Sequence, residues 1–549
     1  MKLLKVLVNS LLSGLFFSLL LSLLLVNLNI NLDFKISLLR QLTLFLSLSY
    51  GLLVLIISLL VFFISQFISG RKFKIAFISP SFLSFSFSLL ILLFLLIFWQ
   101  NYKYFLSFFN GEVQSLLKTQ MRTFLFLAVL GFVIFFGFHY YKRNAFFFLF
   151  YFLLLGAGMV FIFSQRQNYP HPQKAEKLTE LEAQKIEKKI IVIGLEGLSF
   201  DFIIPLVSEE KLPNFAWLVN EGGWGRLENF SPNEPFILNN SFNSGKYPSQ
   251  HRQISLFRYH IPKIKERIEV APRFILLKQL TRTGLLRIST SQPAPRTKDI
   301  WQILSDNKAI CLKREWPYGQ EIIKPSQKAE KLLNLFFKDL QSDESPIVTR
   351  AKQAFFHDCE YEEKALEERN RIQPQFFYLL LNGLNTVETF FYKYSFPESF
   401  GNIDQDLINK YGPLIQRYYE FYDQIIGKYL ATLKEDELLV VYSPHGTEPL
   451  PLWKRFVEWI LGNPDVCAHH ENAPDGVIFF YGKEVVRGKN IEGMKLVDVV
   501  PTLLYYLDLP VGEDMDGVVT SSLFIRDFTA VNPVSYISSY DEVIIKSQN

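Results

Sequence analysis

The chain has 549 residues, 49% of them hydrophobic, and its 57 basic and 53 acidic side chains leave a net charge of +4. That net charge by itself says nothing about nucleic acid, and three scattered cysteines, Cys311, Cys359 and Cys467, odd in number, suggest no disulfide framework and no thiolate metal site. The balance hides two unlike parts: residues 1–164 hold twelve basic and two acidic side chains, the remainder 45 and 51.

In chain order, the first part is a series of uncharged apolar stretches. No charge falls between Lys5 and Asp33, Arg40 and Arg71, Lys74 and Lys103, Arg122 and Lys142, or Arg143 and Arg166. Each stretch holds the ~20 apolar residues needed to cross hydrocarbon. The reading is five transmembrane helices near 7–29, 43–66, 78–99, 123–141 and 145–164. No A-x-A-like site follows the first, so it reads as a span and not as a cleaved signal. His139 is the one ionisable residue in these stretches, at the edge of the fourth. Transport pathways usually show buried charges, so an anchor or a lipid-facing platform is expected in place of a conduit. Arg71-Lys72-Phe73-Lys74 and Lys142-Arg143, with Lys2 and Lys5, fall on one side of five spans. The positive-inside rule makes that side cytoplasmic and places the C-terminal part outside the cell membrane.

Residues 1–165 thus form a transmembrane region, 166–189 a juxtamembrane linker whose Lys/Glu run reads as a solvated helix face, 190–530 an α/β domain, and 531–549 a tail. Within the domain, Ile190–Ile193 stops at Gly194-Leu195-Glu196-Gly197, and Phe376–Leu381 runs into Asn382-Gly383-Leu384-Asn385. Leu438–Tyr442 runs into Ser443-Pro444-His445-Gly446, and Gly476–Tyr481 ends at Gly482. Continuous apolar strands separated by helical stretches imply a mostly parallel sheet with helices on both faces. Ligands of such sheets bind beyond the carboxyl ends of the strands, so Glu196, Asn385 and His445 are candidates to line one crevice. Taken singly, Glu196 also reads as a helix-start carboxylate, and His445 and His469 as satisfied polar residues at loop ends.

At these residues the chain resembles the alkaline phosphatase superfamily, in its type I phosphodiesterase/nucleotide pyrophosphatase branch, over roughly 188–525. Gly194-Leu195-Glu196-Gly197-Leu198 is similar to the family's opening strand and turn, Lys211–Phe215 with Glu221–Gly225 to its next segment, and Asn240–His251 to its nucleophile turn. Thr297–Leu304 fits the following helix. Asp498-Val499-Val500-Pro501-Thr502 and Met515-Asp516-Gly517 are similar to its closing motifs. The resemblance implies two metal ions, usually zinc, and a Thr or Ser that attacks in line. Carried over residue by residue, the first acidic position is Glu196 and the nucleophile position is Asn240, with Ser241 beside it. The Asp-x-x-x-His pair falls on Asn385 and Thr389, and the Asp-His pair on Pro444 and His445. The last His falls on His469, or on His470 after a one-residue shift. His251 reads as structural.

Zinc takes carboxylate, imidazole or thiolate donors, three or four at a time, and Asn240 cannot act as a deprotonated hydroxyl does. The residual donors are Glu196, His445 and His469, so no metal is expected. The leading expectation is a membrane-anchored pseudoenzyme that binds or scaffolds, with the lipid bilayer and another membrane or extracytoplasmic protein as partners and no nucleic acid. The alternatives are an active hydrolase using zinc or another divalent metal, and a lipid head-group phosphotransferase, whose family resembles this layout of five spans before an outward-facing domain. If the alignment holds, Glu196, Asn240, Asn385, Thr389, His445 and His469 converge at one edge of the sheet.

Overall fold

A computed structural model describes residues 2–69, 80–141, 146–170, 179–275, 281, 284–290, 296–315 and 326–546. The two basic clusters on which the orientation rests, Arg71–Lys74 and Lys142–Arg143, lie outside the described residues, as do linker residues 171–178. The chain divides into two units: residues 1–174 with 248–294, and residues 175–247 with 295–549. Residues 248–294, which the sequence reading places within the α/β domain, thus cluster with the N-terminal helices.

Among the described residues of the first unit, five helices are long and apolar enough to cross a membrane: Val6–Leu28, Ile36–Ile64, Leu83–Tyr104, Gly111–Gly137 and Phe146–Gln167. The protein is therefore a multi-pass membrane protein. The fourth helix begins at Gly111, well before the sequence reading starts it, because Lys118 and Arg122 sit within helical turns at its polar end. A turn of π-helix, Ser47–Gly51, interrupts the second. The first helix is largely buried by the others, and two of its polar side chains find partners on neighbouring helices. Ser13 Oγ pairs with Ser86 Oγ at 2.9 Å, and Asn27 Nδ2 donates to Gln120 Oε1 at 2.8 Å. Its carboxyl end, rich in orphan carbonyls, is capped by the buried Arg166. The guanidinium donates to the carbonyls of Val26, Asn29 and Leu32 at 3.2, 3.3 and 2.9 Å. It also stacks 4.3 Å from the Tyr169 ring.

The 248–275 segment is held against these helix ends by asparagine side chains that take the place of a neighbouring strand. Asn29 Oδ1 accepts from the Glu269 and Val270 amides, both at 2.8 Å, while its Nδ2 donates to the Val270 carbonyl at 2.9 Å. Asn101 does the same for Arg273, accepting from its amide at 2.7 Å and donating to its carbonyl at 3.1 Å. Asn31 Nδ2 reaches the Arg252 carbonyl and the Glu269 carboxylate at 3.0 and 2.6 Å.

The second unit is built on a seven-stranded sheet: β1 (Lys189–Leu195), β2 (Gly223–Glu228), β3 (Cys311–Glu315), β4 (Phe376–Leu381), β5 (Glu437–His445), β6 (Asp475–Tyr481) and β7 (Lys489–Lys495). Their spatial order is β7-β2-β6-β5-β1-β4-β3. All pairs are parallel except the two that β6 makes. The sheet is thus mostly parallel with one reversed strand, as the alkaline phosphatase-like reading requires. Alternate residues of β1, β4 and β5 enter two separate cores. Ile191, Ile193, Phe377, Leu379, Leu439 and Val441 pack under α2 (Pro346–Ile372), α3 (Gly383–Ser395) and α4 (Pro413–Ala431). Ile190, Val192, Tyr378, Leu438, Val440 and Tyr442 pack on the opposite face, under α1 (Pro235–Ser244) and the helix Val499–Tyr506. Burial on both faces is why these runs read as unbroken apolar stretches.

The motif acids near the carboxyl end are structural ties. Asp498 accepts from the Lys495 and Val518 amides at 2.8 Å each. Asp516 accepts from the Tyr247 amide at 2.7 Å, and the buried Lys246 donates to Asp514 and Asp541 at 2.5 and 2.9 Å. The turn after α1 is thereby fixed by the closing motif.

Asn29→Leu removes the acceptor of two backbone amides, each lost partner costing about 1–3 kcal/mol where it is buried. Limited proteolysis of the full chain in detergent is expected to cut faster within 252–275 in this variant than in the wild type. An unchanged cleavage rate would show that the segment is held by something else.

Candidate functional site

Strands β1, β4 and β5 are adjacent and in register, Leu195 opposite Leu381 and Gly194 opposite Tyr442. Their carboxyl ends therefore bring Glu196, Asn382 and Pro444-His445 side by side, although they are up to about 250 positions apart in sequence. Gly197 completes the turn at φ +101°, where a non-glycine residue is strained. It also touches α3: a Cβ there would meet Glu388 Oε2 at 2.7 Å and the Asn385 amide nitrogen at 3.2 Å. Asn385 and Glu388, one helical turn apart, thus close on the residue after Glu196.

The strand alternation gives Glu196 and His445 different surroundings. Leu195 belongs to the α3–α4 core, so Glu196 turns toward α1. It is fully buried, and neither carboxyl oxygen makes a well-formed hydrogen bond. Burial, reinforced by the Asp358 carboxyl and opposed by the Asn239 amide, pushes its pKa up to about 8. His445 is fully buried on the other side. Its Nδ1 donates to the Gly446 carbonyl at 3.0 Å, its Nε2 has no partner, and its ring stacks on His470 with centroids 4.7 Å apart. Desolvation, with the neighbouring His470 adding to it, drives its pKa down to about 3. The imidazole is neutral at every physiological pH.

The remaining sequence-predicted positions spend their polar groups locally. Asn240 Nδ2 donates to the Phe236 carbonyl of its own helix at 2.8 Å. Asn385 Nδ2 donates to Asn382 Oδ1 at 3.1 Å, and the Thr389 hydroxyl to the Asn385 carbonyl at 2.8 Å. Pro444 contributes a ring with no donor atom, and its carbonyl accepts from Asn229 Nδ2 at 3.0 Å. His469 lies on a short strand paired with Glu448–Pro449 and sits 3.2 Å from Glu448 Oε1, so His470 is the histidine that meets His445.

Three residues that the sequence reading passed over belong to this edge. Asn239 takes the Glu196-facing position of α1, one helical step from Asn240. Glu388 is buried, accepts from the Thr447 hydroxyl, and is raised to about 8 by burial. Its spacing of three from Asn385 was the available signal. Asp358 lies in α2, where no motif marks it. It accepts from the Tyr418 and Tyr422 hydroxyls at 2.8 Å each and from the Gly383 amide at 3.1 Å, and burial lifts it to about 7. Gly383 leaves room for this knot: a Cβ would meet Tyr418 Oη at 1.8 Å.

Among the described residues, no group of three or more His, Cys, Asp or Glu side chains is arranged to hold a metal ion. Burial shifts the carboxyl groups of this edge toward their protonated forms and its two stacked imidazoles toward their neutral forms. A family model described as type I phosphodiesterase / nucleotide pyrophosphatase matches residues 190–503, more than half of the chain. Comparison with curated proteins gives no significant match.

The raised carboxyls make a signed prediction. Between the ordinary glutamate value near 4.5 and the folded value of about 8, the unfolded chain ionises Glu196 while the fold keeps it protonated. Stability from this group is full below that window and is lost as pH rises through it. Glu196→Gln cannot ionise. Its thermal stability relative to the wild-type full chain is therefore expected to improve steadily from pH 5 to pH 8. Parallel profiles for the two proteins over that range would contradict the assignment.

Proposed function

Because the chain belongs to the type I phosphodiesterase / nucleotide pyrophosphatase family, we propose that it is a membrane-anchored member that binds a ligand or scaffolds a partner at the carboxyl edge of its sheet and does not hydrolyse phosphate esters. The observation that carries the reading is the donor set at that edge. The two metal ions implied by the family do not fit the residues present. At Pro444 there is no donor atom, Asn385 and Thr389 offer an amide and a hydroxyl already engaged in local bonds, and Asn240 carries no hydroxyl nucleophile. Glu196 and His445, the strongest remaining donors, face different surroundings, toward Asn239 and toward His470. Neutral carboxyls and an imidazole with a free acceptor nitrogen favour an uncharged, hydrogen-bonding group over a metal–phosphate pair.

The orientation belongs to the same proposal. Basic clusters at 71–74 and 142–143 on one side of five spans support a cytoplasmic N-terminus and an α/β domain outside the cell. The partners are then the bilayer and another membrane or extracytoplasmic protein.

Two experiments test the proposal. The purified full chain in detergent is expected to release no product above background from an aryl phosphate monoester or diester, with or without added zinc or manganese. Metal-dependent turnover that disappears in Glu196→Ala or His445→Ala would overturn the non-hydrolytic reading. For orientation, an alkaline phosphatase reporter fused after residue 170 is expected to be active. A silent fusion there, together with an active cytoplasmic reporter at the same point, would reverse the topology.

A further inference from the structure

Beyond β5 the chain forms a short exposed helix, α5 (Leu452–Ile460), with sequence Leu-Trp-Lys-Arg-Phe-Val-Glu-Trp-Ile. Its amphipathic character is inverted with respect to the domain it sits on. The charged residues face inward. Lys454 Nζ pairs with Glu471 at 2.5 Å. Arg455 donates to the carbonyls of Leu450 and Ser399 at 2.6 and 3.0 Å and stacks 4.3 Å from the Phe400 ring. The apolar residues face outward: Leu452 is 77% exposed, Phe456 60%, Trp459 64% and Ile460 60%, with Trp453 beside them, and no residue of the helix is buried. The two sides are fixed by the 3.6-residue period, which places Leu452, Phe456, Trp459 and Ile460 on one stripe. Because its polar side is tied down by an ion pair and two backbone bonds, the helix cannot roll to bury that stripe.

We propose that α5 is a lipid-surface contact, lying along the bilayer with Leu452, Trp453, Phe456, Trp459 and Ile460 at the boundary between headgroups and acyl chains. Three observations select lipid as the occupant. The same chain carries five helices fit to cross a membrane, and it passes between the two units three times, at 174/175, 247/248 and 294/295. A bilayer is therefore always at the effective concentration of a short tether. The stripe carries a tryptophan near each end, the residue that favours the interfacial zone. Apart from the two indoles it is free of hydrogen-bonding groups, which suits a deformable apolar medium better than a pocket that recognises polar groups. Because Lys454 and Arg455 are turned away from the stripe and engaged, the contact is apolar and owes little to anionic headgroups. The inference stands whether or not the carboxyl-edge site hydrolyses anything.

The full chain reconstituted in phosphatidylcholine vesicles provides the test. The tryptophan emission that belongs to α5 is the difference between wild type and the double variant Trp453→Phe, Trp459→Phe. Phosphatidylcholine brominated near the glycerol end of its acyl chains is expected to quench that component about twofold. Adding anionic lipid or raising the salt concentration is expected to leave the quenching unchanged. Phe456→Glu, an exposed position, is expected to keep the circular dichroism and thermal unfolding of the wild type and to lose the quenching. A component that is not quenched would overturn the proposal. So would one whose emission shifts only as the protein-to-lipid ratio rises, since a second copy would then cover the stripe. Equal quenching in wild type and Phe456→Glu would overturn it as well.

Discussion

Strand β1 lies between β5 and β4 with both of its faces covered, and the chemistry of the domain follows from that burial. Every side chain from Ile190 to Leu195 is removed from water. The residue that follows them, Glu196, inherits the same surroundings without gaining a partner charge. An ionised carboxylate there would cost far more than its neutral form, so the group stays protonated near neutral pH. The same constraint acts on His445 at the end of β5 and on Asp358 and Glu388 in the helices above. Burial thus raises the carboxyls and lowers the imidazole that meet at the carboxyl edge of the sheet. Tyrosines complete it: Tyr418 and Tyr422 donate to Asp358, and Tyr378 and Tyr442 pair with each other at 2.8 Å.

The membrane-associated unit solves a different problem with similar means. Helices in hydrocarbon satisfy their own backbones except at their ends. The carboxyl end of the first helix is served by Arg166, and the irregular backbone of 269–273 by Asn29 and Asn101. An asparagine side chain carries one acceptor and one donor group in amide geometry, so it can stand in for a missing peptide neighbour. A stretch of chain from the first third of the family-matched region is in this way made part of the helical unit. It begins directly after the turn that follows α1, and the Lys246–Asp514 and Tyr247–Asp516 contacts hold that turn in place.

The helix α5 shows how tertiary contacts set which face of an amphipathic segment is used. An apolar stripe of this period on a helix that sits on a domain ordinarily faces the core. The ion pair to Glu471 and the Arg455 bonds to Leu450 and Ser399 turn it over. Its apolar face is left outward.

The sequence by itself determined the five membrane spans, because twenty uncharged apolar residues leave a chain no other stable place, and it determined the central strands β1, β4, β5 and β6, because burial on both faces writes an unbroken apolar run; that β6 runs the other way is not written in such a run. It also carried the family, since the turn motifs at Gly194–Leu198, Asn240–His251 and Met515–Gly517 keep their order. Helix ends were less legible: Lys118 and Arg122 mask the start of the fourth span, because long cationic side chains are tolerated in the terminal turns of a membrane helix. What only the tertiary structure decided is which polar groups meet. The choice of Asn239 over Asn240, and of His470 over His469 against His445, depends on a single step of helical rotation or strand alternation, which no motif records. Asp358 reaches the site from the middle of a 27-residue helix. The docking of 248–275 on Asn29 and Asn101 joins segments more than 170 positions apart. Such contacts are set by where whole elements pack, and local sequence carries information about an element's own period and ends, not about what is brought against it.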